Sequence, residues 1–377
     1  MMDLKKYCDN DFINIPKEDW EIILGNVGND KVKKEALANH LADLAGRYPP
    51  PIPEILESEM ELDYKRFQGY RCVIYDTESY LRAGPYRNEV SKKTLKFFRW
   101  GSIVSDGFML PTMLKAGHRR YHRNIYQLWE SHSGRRTAFN SIINLKKPKV
   151  DKKMVLVGFK MRLQIVANYK PVVAREIYNM YGNEGSVLDF CSGYGGRLVG
   201  FWGSKCKEYV GIDPNLDLVG PYSKLKNWLN KVDPQDKLVE MHCSAAEDFD
   251  YSLYKNRFDL VFTSPPYFNL ERYSHDSTQS WVRYKDINTW KEKFLFATIR
   301  KIYPCVKPNG YIIINICDSE SHPELRICDD MVDLMKNELG MEYIPGLKML
   351  LSNRPGNKIE PGTLKVAEPM WILKKRS

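Results

Sequence analysis

A stiff stretch rich in hydrogen-bond acceptors lies late in the chain, where Ser264, Pro265, Pro266 and Tyr267 follow the apolar residues 258–263. Proline has no backbone N–H, so two consecutive prolines present carbonyl groups that only accept hydrogen bonds. The Ser264 oxygen and the Pro265 carbonyl can accept the two hydrogens of an amino group, and the Tyr267 ring offers a face for stacking. An ordinary Pro-Pro turn is the simpler interpretation. Its position directly after a predicted strand favours a site for a planar molecule that carries an amino group.

A glycine-rich turn precedes this motif and follows another predicted strand, residues 186–190. Gly193 and Gly195 allow the backbone to turn tightly and to approach a ligand without a Cβ clash. The turn lacks the third glycine of the dinucleotide fingerprint and the Gly-Lys-Ser/Thr of a phosphate-binding loop, which argues against both of those sites. Residues 189–195 are called the glycine turn below. Its candidate cofactor-binding residues are Asp189, Phe190, Cys191, Gly193 and Gly195.

Asp213 ends the next predicted strand, about 20 residues beyond the glycine turn, at the spacing of an acid that accepts hydrogen bonds from ribose hydroxyls. The residue can equally cap the helix that Pro214 would begin, and the two roles can coexist. The strand after that ends near Ser244 and Ala245, where an adenine ring would lie. These residues extend the candidate cofactor site.

Strand and helix signals alternate from Lys170 to the end of the chain, which predicts an α/β fold with a mostly parallel sheet covered on both faces. Ligands of such sheets bind beyond the carboxyl ends of the strands. The glycine turn, Asp213 and residues 264–267 are therefore expected to converge. The predicted strands are residues 186–190, 208–212, 238–243, 258–263, 311–316, 343–351 and 369–373.

This half of the sequence resembles the amino-methyltransferase family of DNA-modifying enzymes. The motifs that carry the resemblance are the glycine turn, Asp213, residues 264–267 and the later stretch 306–315. The resemblance implies a Rossmann-like, seven-stranded, mostly parallel sheet of the class I methyltransferase type. It also implies S-adenosylmethionine as the cofactor, held by the glycine turn and Asp213. Residues 264–267 would then hold a flipped-out DNA base for methylation of cytosine N4 or adenine N6, and the serine favours cytosine N4.

The sequence departs from the family pattern at three places. Phe190 and Cys191 replace a Pro-Phe pair in the glycine turn, and Ser244 stands where an acid near adenine is usual. No long insertion separates the motifs of the second half. The region that recognises the target must then lie in the N-terminal part of the chain.

The charge of the chain is concentrated in one segment. The formal net charge is +10, and residues 115–162 carry thirteen lysines and arginines against two acids, interleaved with aromatic residues. Such a stripe is typical of proteins that bind nucleic acid, although a solvated basic face is the plainer reading. Duplex DNA is the favoured partner and RNA is possible. The candidate contact residues are Arg119, Arg120, Arg123, Arg135, Arg136, Lys146 and Lys147.

Three domains are predicted. Residues 1–53 form a helical segment, with its clearest helix at 32–47, that ends in a Pro-rich linker. Residues 54–165 form a mixed, basic target-recognition domain, with loops at 134–136 and 146–149. Residues 166–377 form the methyltransferase domain.

The loop after the Pro-Pro-Tyr motif, residues 269–284, contains Arg272 and Arg283 among several aromatic side chains. We predict a mobile lid that closes on an extruded base and the adjoining phosphates. Ordinary surface aromatics are an equally good interpretation of the same pattern.

Several rival functions fit parts of the same sequence. Carbon-5 methylation would use a Pro-Cys nucleophile, but Pro304 and Cys305 precede a strand and read as a helix end. His118 and His122 have the spacing of two metal ligands on a helix, but no acid or cysteine accompanies them, so no metal is expected. An RNA amino-methyltransferase, a protein-glutamine methyltransferase and a non-catalytic DNA-binding subunit remain as alternatives.

The N-terminal residues lack the apolar stretch expected of a signal peptide, and no apolar run approaches the roughly 20 residues that cross a bilayer. Its eight cysteines have no disulfide-like spacing. A cytoplasmic enzyme of a bacterial, archaeal or phage-infected cell is expected. Restriction-modification, phage self-protection and regulation all fit that setting.

Overall fold

The computed structural model of the protein describes residues 3–76, 80–81, 84–118, 123–162, 166–318, 326–351 and 366–377. Its helices are α1 Lys17–Val27, α2 Lys31–Ala45, α3 Glu57–Gly69, α4 Ser102–Met113, α5 Ile125–Glu130, α6 His132–Asn144, α7 Lys152–Arg162, α8 Pro171–Tyr181, α9 Gly196–Trp202, α10 Val219–Val232, α11 Ser280–Arg283, α12 Ile287–Trp290, α13 Ala297–Ile302 and α14 Ile327–Asp333. Its strands are β1 Val73–Asp76, β2 Tyr80–Leu81, β3 Lys93–Lys96, β4 Gly117–His118, β5 Ser186–Asp189, β6 Glu208–Asp213, β7 Leu238–Cys243, β8 Phe258–Thr263, β9 Glu271–Arg272, β10 Val306–Asn315, β11 Glu342–Ile344, β12 Lys348–Leu350 and β13 Val366–Lys374.

The chain divides into two compact units. One consists of Met1–Glu54 and Leu110–Ala167 and is called the helical unit; the other, Ile55–Met109 and Asn168–Ser377, is called the sheet unit. This division differs from the three predicted domains, because residues 54–165 are shared between both units. Strands β1 and β3 from this middle region join the large sheet, and such long-range pairing leaves no local pattern in the sequence.

The helical unit is built around α2, α6 and α7. Asp30 caps α2 by accepting hydrogen bonds from the amides of Val32 and Lys33 at 2.8 and 3.1 Å. Trp129 is buried against the ring of Phe12 at 5.8 Å and donates its indole N–H to the Tyr48 carbonyl at 2.7 Å. The N-terminal segment and residues 110–167 therefore share one core.

The loop predicted at residues 134–136 is wrong, because these residues lie inside α6. Ser131 caps this helix by accepting a hydrogen bond from the Gly134 amide at 3.1 Å. A Cβ at Gly134 would lie 2.0 Å from the Leu128 carbonyl oxygen, so the glycine permits the tight junction between α5 and α6. The predicted loop at 146–149 is confirmed.

The sheet unit contains the predicted Rossmann-like sheet. Strands β7, β6, β5, β8 and β10 are parallel neighbours in that order, β13 runs antiparallel beside β10, and β11 also pairs with β13. These seven strands confirm the α/β class I methyltransferase fold. Strands β12, β3 and β1 extend the sheet from the first half of β13, with which β2 also pairs. Strand β12 lies within the predicted strand 343–351, whereas β1, β2 and β3 were not predicted as part of the sheet.

The interior strands are mainly apolar, as expected for a sheet buried on both faces, and their polar residues lie mostly near the strand ends. Every residue of β8 is buried, and the core continues through Trp290, Phe294 and Trp371. The predicted strand at 343–351 is instead two short strands, β11 and β12. Gly346 lies between them where a Cβ would be 1.9 Å from the Met370 carbonyl oxygen, so the chain passes very close to β13 there.

The strand order reverses between β5 and β8, since the chain continues from β5 to β6 and β7 on one side and returns to β8 and β10 on the other. A crevice at such a switch point is the usual ligand site of an open α/β sheet. The glycine turn follows β5 and residues 264–267 follow β8, so both motifs border this crevice. No helix within the described residues is long and apolar enough to cross a membrane.

Candidate cofactor and amino-group site

The glycine turn has the backbone that its sequence predicts. Gly193 and Gly195 have φ values of 62° and 79°, a region that residues with a Cβ rarely adopt. Gly196 begins α9, and a Cβ there would lie 2.2 Å from the Tyr169 carbonyl oxygen. The turn is therefore both strained for other residues and closely packed on the segment before α8.

Asn168 forms two hydrogen bonds with the glycine turn and the start of α9, and no role was predicted for it from the sequence. Its side-chain oxygen accepts a hydrogen bond from the Gly196 amide at 2.9 Å, and its side-chain nitrogen donates to the Tyr194 carbonyl at 2.7 Å. Asn168 lies 25 or more positions from its partners and is almost fully buried. A lone asparagine without a motif gave no signal in the sequence.

Asp189 lies beneath the turn rather than facing a ligand. Its carboxylate is fully buried and accepts hydrogen bonds from Arg197 Nε at 2.6 Å, the Tyr209 hydroxyl at 2.7 Å and the Thr263 hydroxyl at 2.8 Å. Asp189 therefore positions the turn from within the core, and its contact with a cofactor stays a prediction. Because Thr263 directly precedes Ser264, this carboxylate ties the glycine turn to the Pro-Pro-Tyr motif.

Arg197 completes this buried ion pair. Burial alone would lower the pKa of its guanidinium, but Asp189 raises that pKa above its usual value, so the group stays charged. Arg197 also donates a hydrogen bond to the Cys191 carbonyl. Phe190 is fully buried in the core, whereas Cys191 and Gly193 are half-buried, and the predicted cofactor contacts of these residues stay predictions.

Asp213 connects the end of β6 to the glycine turn. One carboxylate oxygen accepts a hydrogen bond from the Gly193 amide and the other from the Asn215 amide, each at 2.9 Å. Burial raises the pKa of Asp213 to about 6, although these two hydrogen bonds work in the opposite direction. The residue therefore supports the start of the next helical turn and also stands at the predicted ribose position.

A cavity of about 280 Å³ adjoins Asp213 between β7 and α10. Its walls are mainly apolar, and its lining residues are Asp213, Asn215, Leu218, Val219, Tyr222, Ser223, Lys226, Val239, Met241, His242 and Cys243. Ser244 and Ala245, predicted to lie near adenine, do not line it. Ala245 is buried, and the Ser244 hydroxyl lies 3.1 Å from the Ala245 carbonyl oxygen, so these two residues form the turn beyond the cavity.

The Pro-Pro-Tyr motif is organised by Asn315 at the end of β10. The Ser264 hydroxyl donates to the Asn315 carbonyl at 2.9 Å, and the Tyr267 hydroxyl lies 3.5 Å from the same oxygen. Because the Ser264 proton is directed at Asn315, the serine oxygen keeps lone pairs that can accept hydrogens from an amine. Glu368 Oε2 lies 3.4 Å from the Tyr267 hydroxyl.

The side chain of Asn315 is itself fixed by two hydrogen bonds. Its side-chain oxygen accepts from the Tyr169 hydroxyl at 2.9 Å, and its side-chain nitrogen donates to the Pro369 carbonyl at 3.0 Å. Asn315 ends the stretch 306–315 that carried part of the family resemblance, but no role was predicted for it. Its position at the end of a central parallel strand is the signal that points to the site.

The two arginines of the predicted lid are both engaged within the sheet unit. The Arg272 guanidinium lies 4.9 Å from the centre of the Trp281 ring. Arg283 forms ion pairs with Glu247 at 3.0 Å and Asp248 at 2.6 Å. Two carboxylates therefore already neutralise the charge of Arg283, and its predicted phosphate contact stays a prediction.

The basic residues of the helical unit differ in availability. Arg135 donates hydrogen bonds to the carbonyls of Ala42, Trp129 and Glu130 at 2.9, 2.6 and 3.1 Å, which makes it a structural residue. Arg136 pairs with Glu35 at 3.2 Å. The remaining candidates are Arg123 and Lys146, which are exposed, Lys147, which is half-buried, and Arg119 and Arg120, which lie outside the described residues.

One of the two rival sites, Cys305, lies within the described residues. Cys305 lies in a 3₁₀ turn, Tyr303–Cys305, that ends a helix as predicted, and burial raises the pKa of its thiol to about 11. A thiol with that pKa is protonated at neutral pH and is a poor nucleophile. No group of three potential metal ligands occurs among the residues with described positions; His122 is outside them.

Part of the chain matches a known protein family. Residues 258–376 match the model of an N6/N4 methyltransferase family described as DNA methylase. The matched region begins with β8 and contains both residues 264–267 and β10. The resemblance predicted from the sequence is therefore confirmed over these residues. A search of curated proteins gave no match.

Solved structures with a similar fold include PH0851, with a TM-score of 0.36 and 13% identity over 56% of this chain and 47% of that protein. The chain thus spans about half the length of PH0851. A SAM-dependent O-methyltransferase from Thermotoga maritima matches with a TM-score of 0.32 and 13% identity over 59% of this chain and 71% of its own. An rRNA methylase from Streptococcus thermophilus matches with a TM-score of 0.32 and 12% identity over 56% of this chain and 100% of its own. At these values the matches carry no argument about substrate.

Proposed function

We propose that this protein transfers a methyl group from S-adenosylmethionine to the exocyclic amino group of a flipped-out DNA base, with cytosine N4 favoured over adenine N6. The observation that carries the proposal is the hydrogen-bonded link from the glycine turn through Asp189 to Thr263. This link supports the proposal, because it holds the glycine turn and the acceptor-rich motif together at the same switch point of the sheet. A methyl donor and an amine acceptor require that proximity.

The residues beside Asp213 fit S-adenosylmethionine. A carboxylate that can accept hydrogen bonds from ribose hydroxyls stands at the mouth of a mainly apolar cavity of about 280 Å³, which suits an adenine ring. The glycine turn brings backbone close to the crevice without side chains in the way. When bound, this cofactor supplies an electrophilic methyl group on a sulfonium ion.

The Pro-Pro-Tyr motif prepares the amine. The Ser264 oxygen and the Pro265 carbonyl accept the two amine hydrogens, which turns the nitrogen lone pair away from the plane of the base. Tyr267 stacks on the base and excludes water from one of its faces. The chain's own contribution is therefore orientation and desolvation, and no covalent enzyme intermediate is needed.

The preference for DNA is supported by the family description of residues 258–376 and by the charge of the helical unit. Exposed basic residues such as Arg123 and Lys146 can contact phosphates. Serine at position 264 is the feature that favours cytosine. Site specificity and a restriction-modification role belong to the same proposal.

The decisive experiment incubates the protein with methyl-labelled S-adenosylmethionine and unmethylated duplex DNA, then identifies modified nucleosides by mass spectrometry. N4-methylcytosine is expected with wild type. Tyr267→Ala should abolish transfer while calorimetry still shows cofactor binding, and Tyr267→Phe should keep much of the activity because the ring remains. Detection of N6-methyladenine instead would show that adenine is the target base. Methyl transfer to structured RNA but not to DNA would show that RNA is the substrate. Absence of cofactor binding would leave a non-catalytic DNA-binding subunit.

A further inference from the structure

Residues 269–284, which the sequence predicted as a lid, are called the strap below. They contact all three loops that border the proposed cofactor site. These loops are the glycine turn after β5, residues 213–215 after β6 and residues 244–248 after β7. The Tyr273 ring lies 5.9 Å from the ring of Tyr194 in the glycine turn. The Thr278 hydroxyl lies 3.4 Å from the Pro214 carbonyl oxygen. The strap therefore reaches the first two loops through its middle residues.

The third contact is the strongest. Arg283 Nη1 lies 3.0 Å from Glu247 Oε1 and 2.6 Å from Asp248 Oδ2, and the Tyr284 hydroxyl lies 3.2 Å from the same Glu247 oxygen. The Glu247 side chain is only 4% exposed. Burial raises the pKa of Glu247, and Arg283 opposes that shift. A buried carboxylate without this arginine would be left uncompensated, which is costly.

Arg283 also forms a hydrogen bond within the strap. Its Nε donates to the Ser277 carbonyl at 3.0 Å, and the Trp281 indole donates to the Ser274 carbonyl at 3.0 Å. The strap contains only the two-residue strand β9 and the four-residue helix α11, and side-chain contacts hold the residues between them. A segment of this kind can detach without unfolding of the sheet.

We infer that the strap holds the three loops together around the bound nucleoside cofactor and that Arg283 is the positioning residue that latches it. The inference rests on the proposed function. It assigns to Arg283 a partner within the protein instead of a nucleic-acid phosphate. Cofactor exchange then requires release of the contacts to Glu247 and Asp248, while binding of the nucleic acid does not.

The test compares dissociation rates of S-adenosylmethionine, measured by stopped-flow displacement with excess S-adenosylhomocysteine. Arg283→Gln should accelerate dissociation roughly tenfold or more, as expected for the loss of charge-assisted hydrogen bonds. Asp248→Asn, at a position whose side chain is 54% exposed, should give a smaller acceleration in a protein that folds normally. Arg283→Lys should restore part of the wild-type rate.

The matched control is Arg300→Gln, which removes an arginine that pairs with Glu338 at 2.5 Å and with Glu292 at 3.7 Å, neither of which belongs to the three loops. Its dissociation rate should equal that of wild type. An unchanged rate in Arg283→Gln, together with weaker binding to duplex DNA, would overturn the inference and restore a phosphate contact.

Hydrogen exchange of the cofactor-free protein separates this inference from the proposed function. Arg283→Gln should increase exchange in residues 269–284 and 244–248 and leave the central strands unchanged. If wild type binds no S-adenosylmethionine, the proposed function fails, whereas the exchange result still decides whether Arg283 latches the strap. Unchanged exchange in those two segments would contradict the latch.

Discussion

Asp213 shows how one side chain can serve both the fold and a ligand. Its two oxygens accept hydrogen bonds from the amides of Gly193 and Asn215, which align the glycine turn with the loop after β6. Each carboxylate oxygen has further lone pairs for ribose hydroxyls. The same burial that makes this arrangement rigid raises the pKa of the group to about 6.

This pKa predicts a pH dependence of cofactor binding. Lowering the pH from about 7.5 to about 5 protonates Asp213 and converts an acceptor into a donor, so affinity should fall across that range. Isothermal titration calorimetry with S-adenosylmethionine measures it. Asp213→Asn should bind weakly with little pH dependence near 6. A flat wild-type profile would show that Asp213 does not hold the ribose.

At the scale of elements, β5 and β8 are joined at their carboxyl ends by side-chain hydrogen bonds in addition to the backbone pairing of the two strands. The Thr263 hydroxyl at the end of β8 donates to Asp189 at the end of β5 at 2.8 Å. Asp189 also binds Arg197 at the start of α9. The strand pair, the helix and both motifs therefore form one buried polar network, in which loss of one member leaves a charged group unsatisfied.

Thr263→Val removes one member of this network and keeps the shape of the side chain. The buried Asp189 loses a donor, so the free energy of unfolding should fall by about 1–3 kcal/mol, and cofactor affinity should fall with it. Urea unfolding and calorimetry measure both quantities. Thr298→Val is the control, since its buried hydroxyl bonds only to the neutral Phe294 carbonyl at 2.7 Å. Equal losses in both variants would argue against a special role for the network.

At the scale of the whole molecule, the chemistry and the excess charge belong to different units. The sheet unit contains the glycine turn, Asp213 and the Pro-Pro-Tyr motif, whereas residues 115–162 of the helical unit carry the one-signed charge. Within that segment the structure separates two kinds of basic residue. Arg135 is bound to backbone carbonyls, and Lys146 is exposed.

This difference predicts opposite outcomes for two similar substitutions. Lys146→Gln should leave the melting temperature unchanged and reduce the salt dependence of duplex-DNA binding by about one phosphate contact. Arg135→Gln should lower the melting temperature, because three carbonyls lose their donor. Fluorescence anisotropy at several salt concentrations and thermal unfolding measure the two effects. A reduced salt slope with unchanged melting temperature in Arg135→Gln would reverse the assignment.

Local patterns were sufficient for the part of the protein that depends on neighbours in the chain. Continuous apolar runs predict buried parallel strands, and the residues directly after them, such as Gly193, Asp213 and Ser264, lie at strand ends wherever the strands pair. The fold class and the convergence of the motifs could therefore be predicted from the sequence. Residues 258–376, which match the DNA methylase family, include Ser264 but neither Gly193 nor Asp213.

The tertiary structure determined which residues far apart in the chain form hydrogen bonds with each other. Asn168 and Asn315 carry no motif and became part of the site only because packing brought them to Gly196 and Ser264. Charge alone could not distinguish Arg135 and Arg283, which the protein uses internally, from the exposed Lys146. The sequence by itself determined which residues end the strands; the tertiary structure decided which polar groups are satisfied within the protein, because long-range hydrogen bonds leave no local pattern.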